Sequence, residues 1–585
     1  MRSKCVLGTM PYNIHSPMRN WYHFVTYSRQ AILLWTSLTV VLCNCSPSFK
    51  CPLEEYEALL ELRYSLLHNN LPSPPTWGRE RDCCLWEGVT CNNRTHQVMK
   101  LTLSSLEEYD ELANWQLNFN IFFSFHELRL LDLSNINIGG LQSQIDISRF
   151  KKLKILDLSN NQLTGTIPLS FKNQSSLRVL NLQGNYLNGT LDVQDISGFQ
   201  KLKILDLSFN GLTGTIPLSF RNLSSLSALY LRGNMLNGTL HVQDKSRFRK
   251  LKILDLSDNS LTGTIPLYLK NLSSLNALYL GGNMLNGTLH MQGLLGMRKL
   301  RVLDLGFNQL TGGIPIALGN LSSLNSLYLG QNSLTGSVPS QDLTALDVSN
   351  NQLSGKLPRQ IGENIPLEIL VLSGNSLEGP VPIELCKLQS LHVLDLSQNN
   401  ISGSIPSCFG KMHFRKSDSA HQYLSVVGEL GFGSRWEVNT GVESYITEIM
   451  IVDLISKGNL YAYRTDYLVL MSAIDLSANK LTGNIPLEIG NLDELVQLNL
   501  SHNQLTGPIP QTFSKLHQIE SLDLSHNQLS GVIPSQLTQL KFLEVFSVAY
   551  NILSGCTPDF KDQFATFNVS SYEGNIGLHG PPLEK

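Results

Sequence analysis

The chain has 585 residues, far more than the roughly 250–300 residues at which a single compact core stops growing. Several domains or a repeat array must therefore account for its length. Charged residues make up 16% of the sequence, below the ~25% of a typical soluble domain, and the formal net charge is -3. The sequence contains no basic arm or patch, so a nucleic-acid partner is not expected.

The N-terminal segment contains the apolar run AILLWTSLTVVL at 31–42, which follows Arg29 and precedes small residues at 43–45. This run is too short to span a bilayer comfortably, so it predicts the h-region of a secretory signal peptide with a long n-region, residues 1–45. An N-terminal membrane anchor is the alternative. No later apolar run has the length of a transmembrane helix, so we expect the mature chain to carry no membrane anchor.

One repeated pattern, L-x-x-L-x-L-x-x-N-x-L-x-G-x-I-P, organises the chain, as in LKILDLSNNQLTGTIP at 153–168. A single unit cannot bury its apolar side, so the recurrence predicts a solenoid of stacked coils. A coiled coil or helical repeat is excluded because the Gly of every unit and the Pro of most units would break each helix. The sixteen repeat asparagines are Asn135, Asn161, Asn185, Asn210, Asn234, Asn259, Asn283, Asn308, Asn332, Asn351, Asn375, Asn399, Asn479, Asn503, Asn527 and Asn551.

Each unit predicts the same local structure. A short strand points Leu156 and Leu158 inward, and Asp157 between them is expected to face solvent. Asn161 turns inward, where its amide can satisfy backbone groups of neighbouring coils. Gly165 permits the sharp bend that follows. Stacked in this way, the strands predict one parallel sheet along the concave face.

The repeat is interrupted at 411–470, a segment rich in Tyr and charge. This interruption predicts the domain organisation. The predicted units are an N-terminal cap paired by cysteines at 46–97, a first block of repeats at 98–410, an island at 411–470, the last four repeats at 471–555, and an incomplete C-terminal cap or tail at 556–585.

These motifs resemble plant leucine-rich-repeat receptor-like proteins over residues 46–585. The resemblance rests on the L-x-G-x-I-P repeats, on DCCLWEGVTC at 82–91, on SKGNLYAY at 456–463 before four final repeats, and on QFATFNVSSYEGN at 563–575. It implies an α/β repeat solenoid, a right-handed superhelix of about 16–17 repeats with a parallel concave sheet and a non-repeat island.

The resemblance also implies a function. Such a protein is an extracellular receptor for a peptide or pathogen-derived ligand, and it acts with a co-receptor kinase, through the final four repeats, in defence or development signalling. The expected location is the secretory pathway and the extracellular space or apoplast, or the plasma membrane if a longer form carries a helix. The chain departs from the family at His579, where the family has Cys, and it stops at Lys585 before the family's transmembrane segment.

These departures leave two alternatives open. One is a truncated remnant or soluble decoy that does not signal. The other is a secreted inhibitor of a microbial cell-wall-degrading enzyme, although such inhibitors have about ten repeats and no island.

The cysteines of the cap are Cys51, Cys83, Cys84 and Cys91, which allow three pairings. A vicinal bridge would be strained, and the resemblance implies Cys51–Cys83 with Cys84–Cys91. Cys386 and Cys408 follow their repeat asparagines by 11 and 9 residues, so adjacent coils bring them together as a third disulfide. Two buried free thiols are the alternative. Cys556 remains without a partner.

Catalysis is not expected. The sequence contains no C-x-x-C, H-E-x-x-H, G-x-S-x-G or P-loop pattern, and its fourteen histidines lack metal-ligand spacing. We therefore predict neither an enzyme nor a cofactor or metal site. The aspartates of the LDLS segments are interpreted as a strand position rather than as paired catalytic carboxylates.

Eleven N-x-S/T acceptors predict a glycoprotein. Seven of them recur with a spacing of 49 residues and are expected outside the concave strand, on the flanks and the convex side: Asn173, Asn222, Asn271 and Asn320, and Asn188, Asn237 and Asn286. Asn499 is expected on the exposed strand face, where a glycan would mask the concave surface. The acceptors are Asn93, Asn173, Asn188, Asn222, Asn237, Asn271, Asn286, Asn320, Asn400, Asn499 and Asn568.

Two surfaces are candidates for binding a peptide, protein or glycan. In the first, Tyr230, Tyr279 and Tyr328 replace the strand Asp on alternate coils, about 10 Å apart. We expect this tyrosine stripe, with Arg232 and Arg301, to contact an extended ligand, because aromatic and Arg side chains dominate interface energetics. Tandem duplication without a ligand is the alternative.

The island is the second candidate. Its residues Lys457, Tyr461 and Tyr463 match the family's KG…Y element. Covering the break in the solenoid core is its alternative role.

Overall fold

The computed structural model describes most of the chain. The predicted signal peptide at 1–45 and most of the island lie outside the described residues. Those described are 51–103, 115–141, 149–167, 176–191, 200–216, 223–240, 250–340, 342–361, 367–412, 451–456, 459–464, 471–559 and 561–583.

The main sheet follows the concave face with one strand per coil. Its first two strands pair antiparallel and every later pair is parallel and in register, as in Ile155↔Val179↔Ile204. The eighteen strands assigned within the described residues are Val89–Cys91, Val98–Thr102, Leu130–Asp132, Ile155–Asp157, Val179–Asn181, Ile204–Asp206, Ala228–Tyr230, Ile253–Asp255, Ala277–Tyr279, Val302–Asp304, Ser326–Tyr328, Ala345–Asp347, Ile369–Val371, Val393–Asp395, Ala473–Asp475, Gln497–Asn499, Ser521–Asp523 and Val545–Ser547.

A second parallel sheet, the flank sheet, is formed by the L-x-G segments, where the sequence predicted only a bend. These segments alternate exposed and buried side chains, as in Met235, Leu236 and Asn237. Its sixteen strands are Thr164–Gly165, Tyr186–Thr190, Gly211–Gly214, Met235–Thr239, Ser260–Thr264, Met284–Thr288, Gln309–Gly313, Ser333–Gly336, Gln352–Lys356, Ser376–Pro380, Asn400–Gly403, Lys480–Asn484, Gln504–Gly507, Gln528–Gly531, Ile552–Cys556 and Gly577–His579.

Two further strand pairs lie outside these sheets. Trp115–Leu117 pairs parallel with Ile138–Leu141, and Ile451–Ser456 pairs antiparallel with Asn459–Arg464. The latter hairpin is the part of the island that the structure describes.

Within the described residues, helical structure is confined to the cap and to short 3₁₀ turns. The cap contains one α-helix, Leu53–His68, and most repeat turns begin directly after the proline of the I-P segment, such as Pro266. The assigned turns are Cys83–Leu85, Phe119–Ser124, Leu267–Asn271, Met291–Gly293, Ile316–Asn320, Ile383–Lys387, Ser407–Lys411, Leu487–Asn491, Gln511–Lys515, Ser535–Gln539, Asp562–Ala565 and Val569–Ser571.

The repeat asparagines form the expected ladder through the core. The Asn161 amide nitrogen donates to the carbonyls of Leu133 at 2.9 Å and Leu158 at 3.0 Å, and its oxygen accepts from the Ile138 amide at 2.9 Å. Each amide thus joins neighbouring coils and satisfies buried backbone groups. Gly165 takes φ +83°, the left-handed conformation that its bend requires.

The ladder corrects the repeat count at both ends. In the first coil Ile136, fully buried, occupies the inward position, and Asn135 precedes it with φ 57°. At the other end Asn575 continues the ladder, because its amide nitrogen donates to Val548 O at 2.9 Å and its oxygen accepts from Leu553 N at 3.0 Å. The segment at 556–585, predicted as an incomplete cap or tail, therefore contributes one further coil to the solenoid.

The cap closes the N-terminal end of the core. Trp77 and Trp86 are buried with ring centroids 5.7 Å apart, and the Glu55 carboxylate accepts from Val98 N at 2.7 Å, which ties the helix to the first long strand. The disulfides are Cys51–Cys83, Cys84–Cys91 and Cys386–Cys408, the pairs expected from the sequence, and Cys556 is free and exposed.

Candidate ligand-binding face

The concave face carries two parallel rows of side chains, one from the first residue of each strand and one from the third. The third-residue row is mostly Asp, with Asn181, Tyr230, Tyr279, Tyr328 and Val371 among the exceptions. Because the strands are in register, each of these side chains lies one strand spacing, about 4.8 Å, from its neighbours.

The prediction that Asp157 faces solvent was wrong. Its side chain is buried, and Oδ1 accepts from the Ser159 backbone amide at 3.0 Å and from the Ser159 hydroxyl at 2.6 Å. Asp206 and Asp255 make the same turn with the Ser two residues later. The carboxylate therefore ends the strand by capping its backbone, which explains the Ser in LDLS.

The tyrosine stripe alternates with these carboxylates. Tyr279 lies in register between Asp255 and Asp304, and Tyr230 and Tyr328 occupy equivalent places between other aspartates. Tyr279 and Tyr328 are buried, whereas Tyr230 is half-buried. Of the three predicted tyrosines, Tyr230 is thus the most accessible.

Where Tyr replaces Asp, the residue two positions later also changes. A Cβ at Gly281 would lie 2.6 Å from Asp304 Oδ2, and a Cβ at Gly330 would lie 3.0 Å from Asp347 Oδ1. These glycines leave room for the carboxylate of the next coil. At these two coils the Tyr-x-Gly strand therefore packs against the Asp of the next strand.

In the Tyr230 coil the corresponding residue is Arg232. Its Nε lies 2.8 Å from Asp258 Oδ2, and its guanidinium lies 5.6 Å from the centroid of the Phe209 ring. Arg232 therefore spans the coils on both sides of its own. Arg301, also predicted to bind, is exposed just before the strand Val302–Asp304.

Burial raises the pKa of three carboxyls beside the tyrosine stripe. It raises the pKa of the Asp206 and Asp304 carboxyls to about 7, and it also raises the pKa of Asp255. Burial, and then the charges of Asp206 and Asp255, raise the pKa of the Tyr230 hydroxyl. The stripe is therefore a weakly charged surface at mildly acidic pH, with phenol groups that remain hydrogen-bond donors.

The first-residue row was missed by the sequence analysis. It is apolar from Leu130 to Val393 except at Ser326, and it continues as Ala473, Gln497 and Ser521 after the island. The available signal was the Ile, Val or Ala immediately before the inward Leu, as in LKILDL. The buried members are Leu130, Ile155, Val179, Ile204, Ala228, Ile253, Ala277, Val302, Ala345, Ile369 and Val393.

The two repeat blocks join without a gap in the sheet. Val393–Asp395 pairs directly with Ala473–Asp475. In the island hairpin Tyr461 pairs with Leu454 and Tyr463 with Val452. Lys457, the third predicted island residue, lies outside the described residues.

The final block carries an aromatic row that the sequence analysis also missed. The rings of His502, His526 and Tyr550 stack with centroids 4.0 and 4.4 Å apart, and the Tyr550 hydroxyl donates to Glu573 Oε1 at 3.1 Å. All three residues are exposed and have positive φ. Each directly precedes a repeat Asn, and this position was the available signal.

The acceptor asparagines are mostly accessible. Asn188, Asn237 and Asn286 lie outside the concave strands, as predicted, but within strands of the flank sheet. Asn271 and Asn499 are half-buried, and Asn173 and Asn222 lie outside the described residues. The exposed acceptors are Asn93, Asn188, Asn237, Asn286, Asn320, Asn400 and Asn568.

Within the described residues, none of the helices has the length and apolar character needed to cross a membrane.

Comparison with known families assigns the chain to one class. The leucine-rich repeat N-terminal domain matches residues 52–92, the leucine-rich repeat region matches 164–415, and leucine-rich repeat models match 152–174, 470–529 and 493–553. The chain is thus a leucine-rich-repeat protein over both blocks and the cap.

Among leucine-rich-repeat proteins, the chain is similar to plant receptors. The chain is 35% identical to Receptor-like protein 15 of Arabidopsis thaliana over 125 residues, which are 20% of this chain and 13% of that protein. It is 38% identical to Cuscuta receptor 1 of Solanum lycopersicum over 147 residues, which are 24% of this chain and 12% of that protein. These alignments span about an eighth of the length of the curated relatives.

A solved structure matches over a much larger share of this chain. The Arabidopsis receptor kinase HAESA, in complex with the peptide hormone IDA and the co-receptor SERK1, is 30% identical, with a TM-score of 0.52 over 90% of this chain and 98% of that chain. The chain belongs to the plant leucine-rich-repeat receptor-like proteins. The matched families and ectodomains are non-enzymatic ligand-binding proteins, and the chain is not an enzyme.

Proposed function

We propose that the chain is the extracellular ligand-binding part of a receptor-like protein, which perceives a peptide or pathogen-derived ligand on its concave face. The observation that carries this proposal is the combination of half-buried Tyr230, Arg232 and exposed Arg301 beside an apolar row on a rigid sheet. Aromatic and Arg side chains are the residues that most often dominate binding energy.

The partner of the bound receptor is proposed to be a co-receptor kinase that docks on the final four repeats. Support comes from the HAESA structure, in which a receptor, a peptide hormone and a co-receptor form one complex. The exposed rings of His502, His526 and Tyr550 provide a flat surface of the kind enriched at protein interfaces.

The domain boundaries and the location follow from the same proposal. Residues 1–45 direct the chain to the secretory pathway, 46–97 cap the solenoid, 98–410 and 471–555 form the ligand-binding and docking blocks, 411–470 are the island, and 556–585 close the end. The protein acts in the extracellular space or, in a membrane-anchored form, at the plasma membrane.

Affinity capture from plant apoplastic fluid tests the ligand face. The secreted chain is compared with a variant carrying Tyr230→Ser, Arg232→Ala and Arg301→Ala, and captured peptides are identified by mass spectrometry. We expect the parent chain to enrich a discrete set of peptides that the variant loses at least about tenfold, the effect of one interface anchor. Arg298→Ala, an exposed residue outside the strand of the same coil, is the control. Equal peptide sets from all three proteins would contradict the proposal.

A further inference from the structure

Three of the glycan acceptors occupy the same place in the flank sheet. Asn188, Asn237 and Asn286 are the third residues of Tyr186–Thr190, Met235–Thr239 and Met284–Thr288. Each strand alternates exposed and buried side chains, so its first, third and fifth residues share the outward face. That face presents a large apolar residue, then the acceptor Asn, then the sequon Thr.

The apolar residues on this face are largely exposed to solvent. Tyr186 is 66% exposed, Met235 61% and Met284 43%. Water contact with such side chains is unfavourable, so something that covers them would stabilise the fold. All three have a glycan acceptor two residues further along the same strand, so an N-linked glycan is a group that could cover each of them.

The intervening coils lack both features. At the position of the apolar residue they have Gly211, Ser260 and Gln309, and two residues later they have Thr instead of Asn. The large apolar side chain and the sequon therefore occur together or not at all over these six coils. Ile552, 65% exposed at the same position of a later coil and without a sequon, shows that the position itself does not require a glycan.

The spacing between acceptors leaves room for sugars. Asn188 pairs with Gly211, Asn237 with Ser260 and Asn286 with Gln309, so one acceptor-free coil lies between successive acceptors. Two strand spacings are about 10 Å, wider than one pyranose ring. Opposite Asn188 the missing side chain of Gly211 opens further space.

We propose that the first N-acetylglucosamine on each of these acceptors packs over the apolar side chain two residues before it and contacts the Thr two residues after it. The C–H face of a pyranose is apolar and fits an aromatic or thioether surface, while its hydroxyl groups stay in water. The three sugars form a ladder along the flank sheet. This ladder stabilises the first block and closes its flank to protein partners. It rests on the secretory location given under the proposed function but not on the identity of any ligand.

Two glycosidases separate the first sugar from the rest. The full chain is secreted from cells treated with kifunensine, so that its glycans are high-mannose, and is digested either with endoglycosidase H, which leaves one N-acetylglucosamine, or with peptide N-glycosidase F, which leaves none. We expect the Tm after endoglycosidase H to equal that of the intact protein. After complete removal we expect it to fall by about 2 °C or more.

A variant with Tyr186→Ser, Met235→Ser and Met284→Ser links this difference to the apolar residues. We expect its two digests to have the same Tm, because a serine offers no apolar surface to the sugar. Asn400→Gln is the control. It removes a flank-sheet acceptor whose residue two positions earlier, Gln398, is polar, so the Tm difference between the two digests should equal that of the parent chain. Equal Tm values for the two digests of the parent chain would overturn the proposal. So would an unchanged difference in the serine variant, or peptide mapping that finds these three acceptors unoccupied.

Discussion

Asp395 and Asp475 lie side by side in register on adjacent strands, although the whole island separates them in the chain. Both carboxyls are buried, and Asp475 Oδ2 also accepts from the Asn499 amide at 3.0 Å. The concave sheet therefore runs from the first block into the last four repeats with its register intact.

This pair predicts a pH-dependent stability. Burial, and then the charge of Asp395, raise the pKa of Asp475 from 3.8 to about 7. Since the folded-state pKa lies above the unfolded one, the protonated form favours folding, and stability falls as the pH rises from about 4 to about 7. We expect Asp395→Asn to raise the free energy of unfolding at about pH 8 by about 1 kcal/mol and to change it little at about pH 4.

Thermal unfolding at the two pH values measures this effect. Asp493→Asn, an exposed carboxylate in the same block, is the control and should leave both values unchanged. If Asp395→Asn lowered the free energy of unfolding at about pH 8, the pairing of Asp395 with Asp475 would not be destabilising and the prediction would be wrong.

The asparagine ladder predicts how the last block is attached. Asn479 donates to Leu396 O at 2.9 Å and accepts from Ile401 N at 3.0 Å, which joins the two blocks across the island. Asn479→Ala leaves these buried groups unpaired, at a cost of about 2–4 kcal/mol. We expect faster hydrogen exchange in 471–555, whereas exposed Asn491→Ala should have no effect. Unchanged protection of that block in Asn479→Ala would contradict the role given to the ladder.

The disulfide Cys386–Cys408 joins adjacent coils just before the island, with a sequence separation of 22. Its removal by Cys386→Ser and Cys408→Ser frees the unfolded chain, so we expect a loss of about 3 kcal/mol and a lower Tm. Cys556→Ser removes the exposed free thiol and serves as the control. If the control lowered the Tm as much as the double variant did, the bridge would not be the stabilising element.

The aromatic row predicts the docking surface of the final block. His526→Ser with Tyr550→Ser removes two of its three stacked rings, and we expect binding of a SERK1-type co-receptor ectodomain, measured by biolayer interferometry with apoplastic peptides present, to weaken at least about tenfold. Phe542→Ser, which removes an exposed ring elsewhere in the block, is the control. Full binding by the double variant would place the docking surface elsewhere.

Much of the fold was predictable because the coils share one sequence pattern, so the structure expected for one coil applies to the others. The inward turn of Asn161 followed from the need to pair buried backbone groups. The flank sheet was missed because each of its strands has only one inward Leu beside a Gly, too short a run for period-two alternation to be recognised. Asp157 was misplaced because alternation predicts the face of a side chain but not its crowding by adjacent coils.

The candidate site was predictable only in part. The replacement of Asp by Tyr279 was visible in the sequence, because Tyr230, Tyr279 and Tyr328 recur every 49 residues. The burial of the Tyr279 side chain was not visible, because it depends on how the side chains of adjacent coils pack. The His502–His526–Tyr550 stack was not predicted, because its members are 24 residues apart and meet only when consecutive coils align.

Site-specific photo-crosslinking tests most directly whether the concave face holds the ligand. Benzoylphenylalanine replaces Tyr230 in one protein and Ile316, which is 97% exposed at the start of a 3₁₀ turn, in another. Each is irradiated with an apoplastic peptide fraction, and crosslinked peptides are identified by mass spectrometry. We expect a defined peptide adduct at position 230 and none at 316. Adducts at both positions alike, or at 316 alone, would contradict it.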